Sequence, residues 1–96
     1  QGHVTHGNVV KMANLAAALL GGAVKEVTPE IRSNYHEAVV STNVTGDLKV
    51  AVTRNPSRSP YLREMGCRAY FTGISKNQME AKQVKTWLKA EAAMFN

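Results

Sequence analysis

The sequence predicts a small, single-domain α+β fold with the element order α-β-β-β-α. We expect an antiparallel sheet of three or four strands packed against helices at both ends of the chain. Apolar residues recur at helical spacing near both termini, and β-branched residues dominate the middle. A length of 96 residues is enough for one core. Gln1-Gly2-His3 is typical of a cleaved tag, so residues 4–96 are taken as the domain.

The first predicted helix runs from about Val9 to Leu20. Asn8 is a suitable N-cap, because its side chain can accept a bond from a free backbone N–H. Gly21-Gly22 supplies the left-handed residue that ends the helix. One face carries the core positions Val9, Met12, Ala16, Leu19 and Leu20, and the alanines and Leu15 around them are apolar too. A helix apolar on all sides indicates a central position or a dimer contact.

The middle of the chain predicts strands. Ala23–Val27 is a short candidate, and Thr28-Pro29-Glu30 favours a helical turn near 29–34. Tyr35–Thr42 and Leu48–Arg54 are rich in β-branched residues and flank Gly46, which suits a hairpin loop. Helical spacing also exists within 28–42, so helix and strand both remain open for that segment.

The hairpin's second strand alternates cleanly, with Leu48, Val50 and Val52 as its buried face. Its wet face is then Lys49, Ala51 and Thr53. A proline-rich loop at 55–66 leads to a third strand, Cys67–Thr72. The last helix is predicted from Ser75, where Gln78 completes a capping box, to about Met94. Its predicted core stripe is Val84, Trp87, Leu88, Ala92 and Phe95.

The formal net charge of +5 lies almost wholly in the second half of the chain. Residues 1–47 carry three cations and four anions, a net of −1, and residues 48–96 carry nine cations and three anions, a net of +6. Such asymmetry indicates a polyanionic partner, either nucleic acid or an acidic protein surface.

These cations predict a nucleic-acid interface. Arginine's planar fork suits phosphate oxygens, tyrosines can stack on unpaired bases, and the start of the last helix offers free N–H groups. The function expected is that of a small, non-catalytic binding module or regulator, provided that these side chains gather on a common surface. The candidate residues are Arg54, Arg58, Arg63, Arg68, Lys76, Lys82, Lys85 and Lys89, with Tyr61 and Tyr70.

A partial resemblance points the same way. The order α-β-β-β-α, with Gly73-Ile74-Ser75-Lys76 and then Ala81-Lys82, resembles the double-stranded-RNA-binding domain. In that family a lysine-rich helix start contacts phosphates across a groove, so the resemblance implies phosphate contacts at the start of the last helix. The sequence departs from the pattern in the wide spacing of its lysines and in Glu80, an anion among them. Membership is not assigned.

The alternative is a protein–protein adaptor or inhibitor, homodimeric, that uses the apolar first helix and the 55–66 loop. Catalytic motifs and cofactor loops are missing from the sequence, so no enzyme, cofactor or metal site is expected. His3 and His6 have metal-ligand spacing, but His3 belongs to the tag-like segment. The single cysteine, Cys67, fits a reducing, cytoplasmic location. No apolar run approaches the roughly 20 residues that span a bilayer, so no membrane partner is expected.

Overall fold

The computed structural model describes residues 4–28, 35–43, 46–53, 68–72 and 79–95. Along the chain it places a helix, four strands in one sheet and a second helix, which confirms the predicted α+β class. The elements are α1 (His6–Leu20), β1 (Gly22–Val27), β2 (Tyr35–Thr42), β3 (Gly46–Thr53), β4 (Ala69–Thr72) and α2 (Ala81–Phe95).

The sheet is an antiparallel meander in the order β1-β2-β3-β4. Its centre is the predicted hairpin, in which Tyr35 pairs with Thr53 and Thr42 with Gly46. Gly46 has φ +74°, the left-handed conformation that a hairpin loop needs and that glycine adopts without steric cost. Residues 35–42 are therefore strand, whereas the helical turn predicted at 29–34 lies outside the described residues.

β1 is the fourth strand that the sequence left open, and it lies at one edge of the sheet. Its pairing with β2 is regular from Gly22 to Val24 and resumes at Glu26, which pairs with Val39. The register shift leaves Lys25 as the extra residue of a β-bulge.

Both helices share one core with the sheet. α1 lies against β1, β2 and β3, and its fully buried residues face the inward side chains of Ala38, Val40 and Val50. α2 reaches the same layer through Trp87, whose ring centroid is 4.4 Å from that of Phe71. Phe71 pairs with Val50 in the sheet. The described core is thus one continuous cluster. Most of it lies between the helices and one face of the sheet, and it includes two buried residues on the opposite face of β3 and β4.

The start of α1 differs from the prediction. The helix begins at His6, and its N-cap is Thr5, whose hydroxyl accepts a bond from the Asn8 N–H at 3.1 Å. Asn8 was the wrong N-cap because the helix extends one turn further back, and that turn is adjacent to Val4, which is buried. The predicted end is confirmed, since Gly21 caps the helix at φ +70°.

The start of α2 also differs. The prediction of a helix from Ser75 is wrong, because Met79 and Glu80 are not helical and the helix begins at Ala81. Gln83 forms the cap instead, with its side-chain oxygen accepting a bond from the Glu80 N–H at 2.7 Å. The same amide donates to the Leu19 carbonyl of α1 at 2.6 Å, so the cap is tied to the contact between the helices.

Two predicted faces also need correction. In α2, Ala92 is exposed, and Glu91 takes the buried position one turn after Trp87. In β3, Lys49 is exposed as predicted, but Ala51 and Thr53 are buried. The register places Ala51 between Glu37 and Tyr70, so a small side chain lies between two longer ones on this second face of the sheet.

Candidate nucleic-acid interface

The outer face of α2 carries three lysines, Lys82, Lys85 and Lys89, and all of them are exposed. At 3.6 residues per turn, these positions fall within a sector of about 60°. Trp87 is fully buried on the opposite side of the helix. We call this set the lysine face. Packing of the indole into the core fixes the rotation of α2, and that rotation turns the three ammonium groups towards solvent together.

The lysine face is free of counter-charges within the described part of the chain. The ion pairs found there join Lys25 to Asp47 at 2.8 Å and Lys49 to Glu37 at 3.8 Å, and both belong to the sheet. None involves a lysine of α2. Among the described residues, the three side chains therefore form a cationic strip with no carboxylate in ion-pair contact.

Glu91 is the carboxylate of α2, and its role was not predicted from the sequence. It is only 7% exposed, and its Oε2 accepts a bond from the backbone N–H of Arg68 at 2.8 Å. Its negative charge therefore lies on the inward side of the helix, away from the lysine face. The available signal was its spacing of four from Trp87, which puts it on the inward side.

Arg68 and Tyr70 are the other predicted interface residues that the structure describes. Arg68 is exposed beside β4, and its backbone links to both Glu91 and Thr53. Tyr70 is only 2% exposed, so in this conformation its ring offers no surface for base stacking. The remaining candidates lie outside the described residues: Arg54, Arg58, Arg63, Lys76 and Tyr61. The 55–66 loop and Cys67 lie outside them as well.

The second face of the sheet has a different character, with charges of both signs. Tyr35 donates a 2.8 Å hydrogen bond to Glu37, which also faces Lys49. Burial, followed by that hydrogen bond, raises the pKa of Tyr35 above its ordinary value. The phenol thus stays protonated and keeps its donor role over the physiological range.

At the other end of that face, Lys25 and Asp47 form a solvent-exposed pair. Their hydrogen bond and mutual attraction raise the pKa of Lys25 and lower the pKa of Asp47. Beside them lies a wide, shallow depression of about 490 Å³, lined by Val39, Asp47, Leu48, Lys49 and Thr72. The lining thus includes one cation, Lys49, and one anion, Asp47.

Comparison of the chain with protein families, curated proteins and solved structures finds no match. Within the described ranges, no three His, Cys, Asp or Glu side chains group as metal ligands. Neither α1 nor α2, each of 15 residues, is long and apolar enough to cross a membrane.

Proposed function

We propose that this chain is a small, non-catalytic binding module that contacts the phosphate groups of nucleic acid through the lysine face of α2. The observation that carries the proposal is the lysine face itself: three exposed ammonium groups on one side of a helix, with the helix's own carboxylate turned inward. Such a strip neutralises phosphates without reading bases, so we expect binding that depends little on sequence.

The basic balance of the whole chain supports this partner. The net charge of +5 favours long-range attraction to a polyanion, and Arg68 adds an exposed cation where β4 meets α2. The single cysteine suits a reducing, cytoplasmic location, where nucleic acid is accessible. An acidic protein surface is the other partner that these charges would attract.

The homodimeric adaptor is the less favoured alternative. Leu15 and Leu19 are half-buried on α1 and Ala18 is exposed, which leaves some apolar surface for a second helix. The outward side of the same helix also carries Lys11 and Asn14. A dimer contact there would have to desolvate a charge and an amide.

The proposal is tested by fluorescence anisotropy of labelled single-stranded and double-stranded DNA and RNA over a range of salt concentrations. Two triple variants lower the net charge equally, from +5 to +2. One neutralises the lysine face (Lys82→Gln, Lys85→Gln, Lys89→Gln), and the matched control neutralises cations elsewhere (Lys11→Gln, Lys25→Gln, Lys49→Gln).

If all three lysines contact phosphates, loss of the lysine face lowers the slope of log K against log salt by about 2 to 3. On duplex DNA, that share of the slope corresponds to roughly 40-fold in affinity between 50 and 200 mM salt. The control variant should keep most of the slope. Equal losses in both variants would show that net charge acts without a site, and no binding at low salt would refute the proposal. Light scattering of the free protein tests the dimer separately.

A further inference from the structure

A buried histidine lies behind the start of α1 with one ring nitrogen unused. His36 of β2 is 1% exposed, and its Nε2 lies 2.5 Å from the backbone carbonyl of Thr28. A carbonyl only accepts, so Nε2 must carry the proton and donate. In the neutral ring Nδ1 is then a bare lone pair. Within the described part of the chain, this Nδ1 is buried without a hydrogen-bond partner.

An unused buried acceptor is costly, because water solvates it in the unfolded chain and no described residue replaces that water in the fold. Two kinds of group would satisfy it, a hydrogen-bond donor or a metal ion. The arrangement around His36 resembles that of a metal ligand. Ligating histidines commonly donate their second ring N–H to a backbone carbonyl, which fixes both the tautomer and the ring orientation.

A second imidazole lies beside the first. His6, the exposed first residue of α1, has its ring centroid 5.9 Å from that of His36, with 44° between the ring planes. A Zn–N bond of about 2.0–2.1 Å puts each ring centre about 3.2 Å from a shared ion, so two such rings are about 5 to 6 Å apart. The observed spacing lies within that range.

Both rings are held on defined elements. The Thr5 cap fixes the first turn of α1, where His6 lies. The sheet register and the Thr28 contact fix His36. The exposure of His6 gives an ion a path from solvent, and water can fill the remaining coordination positions.

We propose that His6 and His36 together bind a transition-metal ion of the class that prefers imidazole, such as Zn²⁺, with water completing the coordination. This site is separate from the lysine face and does not depend on the proposed nucleic-acid function. The ligand atom contributed by β2 is His36 Nδ1, and Nε2 keeps its proton for Thr28.

The test adds ZnCl₂ to the metal-free chain at near-neutral pH and records the melting temperature and the ¹⁵N shifts of the histidine rings. We expect the melting temperature to rise, His36 Nδ1 to take the shift of a metal-bound nitrogen, and Nε2 to remain protonated. His6→Ala is the informative variant, because an exposed residue can be replaced without loss of the fold, and it should abolish both responses.

His3→Ala is the matched control, since it removes the other histidine near the N-terminus. A zinc response that survives His3→Ala supports the pair of His6 and His36. A response that is lost in both His3→Ala and His6→Ala adds His3 as a third ligand and keeps the pair. The proposal is overturned if Zn²⁺ leaves His36 Nδ1 unchanged, or if His6→Ala responds as strongly as the unmodified chain.

Discussion

Trp87 offers the sharpest test of how α2 is held in place. It is the largest fully buried side chain described, its Nε1–H donates to the Ala69 carbonyl at 2.7 Å, and its ring packs on Phe71. Trp87→Phe keeps an aromatic ring but removes the donor. Ala69 belongs to the edge strand β4. The substitution therefore removes the hydrogen-bond donor to this strand while leaving most of the apolar packing in place.

The expected loss of stability has two parts. Leaving the buried Ala69 carbonyl without a donor costs about 1–3 kcal/mol, and losing part of the indole's buried surface costs about 1 kcal/mol more. The sum of about 2–4 kcal/mol is large beside a total stability of roughly 5–14 kcal/mol for a chain of this length. The corresponding fall in melting temperature is about 8–30 °C.

Urea unfolding followed by far-UV circular dichroism measures the difference, because Trp87 is the only tryptophan and its replacement removes the fluorescent reporter. Lys85→Gln, on the solvent side of the same helix, is the control and should change stability by no more than about 0.5 kcal/mol. A loss below about 1 kcal/mol for Trp87→Phe would refute the reasoning, since neither the hydrogen bond nor the packing would then hold α2 on the sheet.

Three further outcomes are expected. Glu91→Ala should cost about 1–3 kcal/mol in urea unfolding, because the Arg68 N–H loses its acceptor, and Glu91→Gln should restore part of the loss. Gly22→Ala should cost about 1–3 kcal/mol, because the added Cβ would lie 2.0 Å from the backbone oxygen of Ser41; an unchanged melting temperature would contradict this. Above pH about 10, where the unfolded chain loses the phenolic proton that folded Tyr35 keeps, stability should fall, and less so in Tyr35→Phe. Equal pH curves for the two proteins would exclude Tyr35 as the source.

The sequence predicted best what local signals determine. A glycine between two β-branched runs specifies the β2–β3 hairpin. Gly46 adopts a positive φ there, which few residue types other than glycine can do without strain. The lysine face followed from helical periodicity alone. The start of α2 was harder, because Gln78 and Gln83 both offer a capping side chain. The choice of Gln83 is linked to its contact with α1, which lies 64 residues away along the chain and leaves no local trace.

Alternation along a strand predicts which residues share a face, but not how deeply each face is buried. Ala69 and Tyr70 are adjacent in β4 and point to opposite sides, yet both are buried, so alternation alone did not reveal that the ring of Tyr70 is inaccessible. Glu91 is a similar case, because a carboxylate on a helix is ordinarily expected to be exposed, and its acceptor role towards the Arg68 N–H leaves no local trace in the sequence. Both errors concern neighbours that are distant in sequence.

The irregular pairing in β1 has a consequence for how copies of this chain behave in concentrated solution. The outer edge of a strand can ordinarily pair with a strand of another molecule and so start a fibre, because its backbone N–H and C=O groups are unpaired. Here the extra residue, Lys25, breaks the regular spacing of those backbone groups. The exposed charges of Lys25 and Glu26 would also have to be desolvated before another strand could pair with this edge. A one-residue bulge thereby disfavours amyloid-like pairing at the β1 edge.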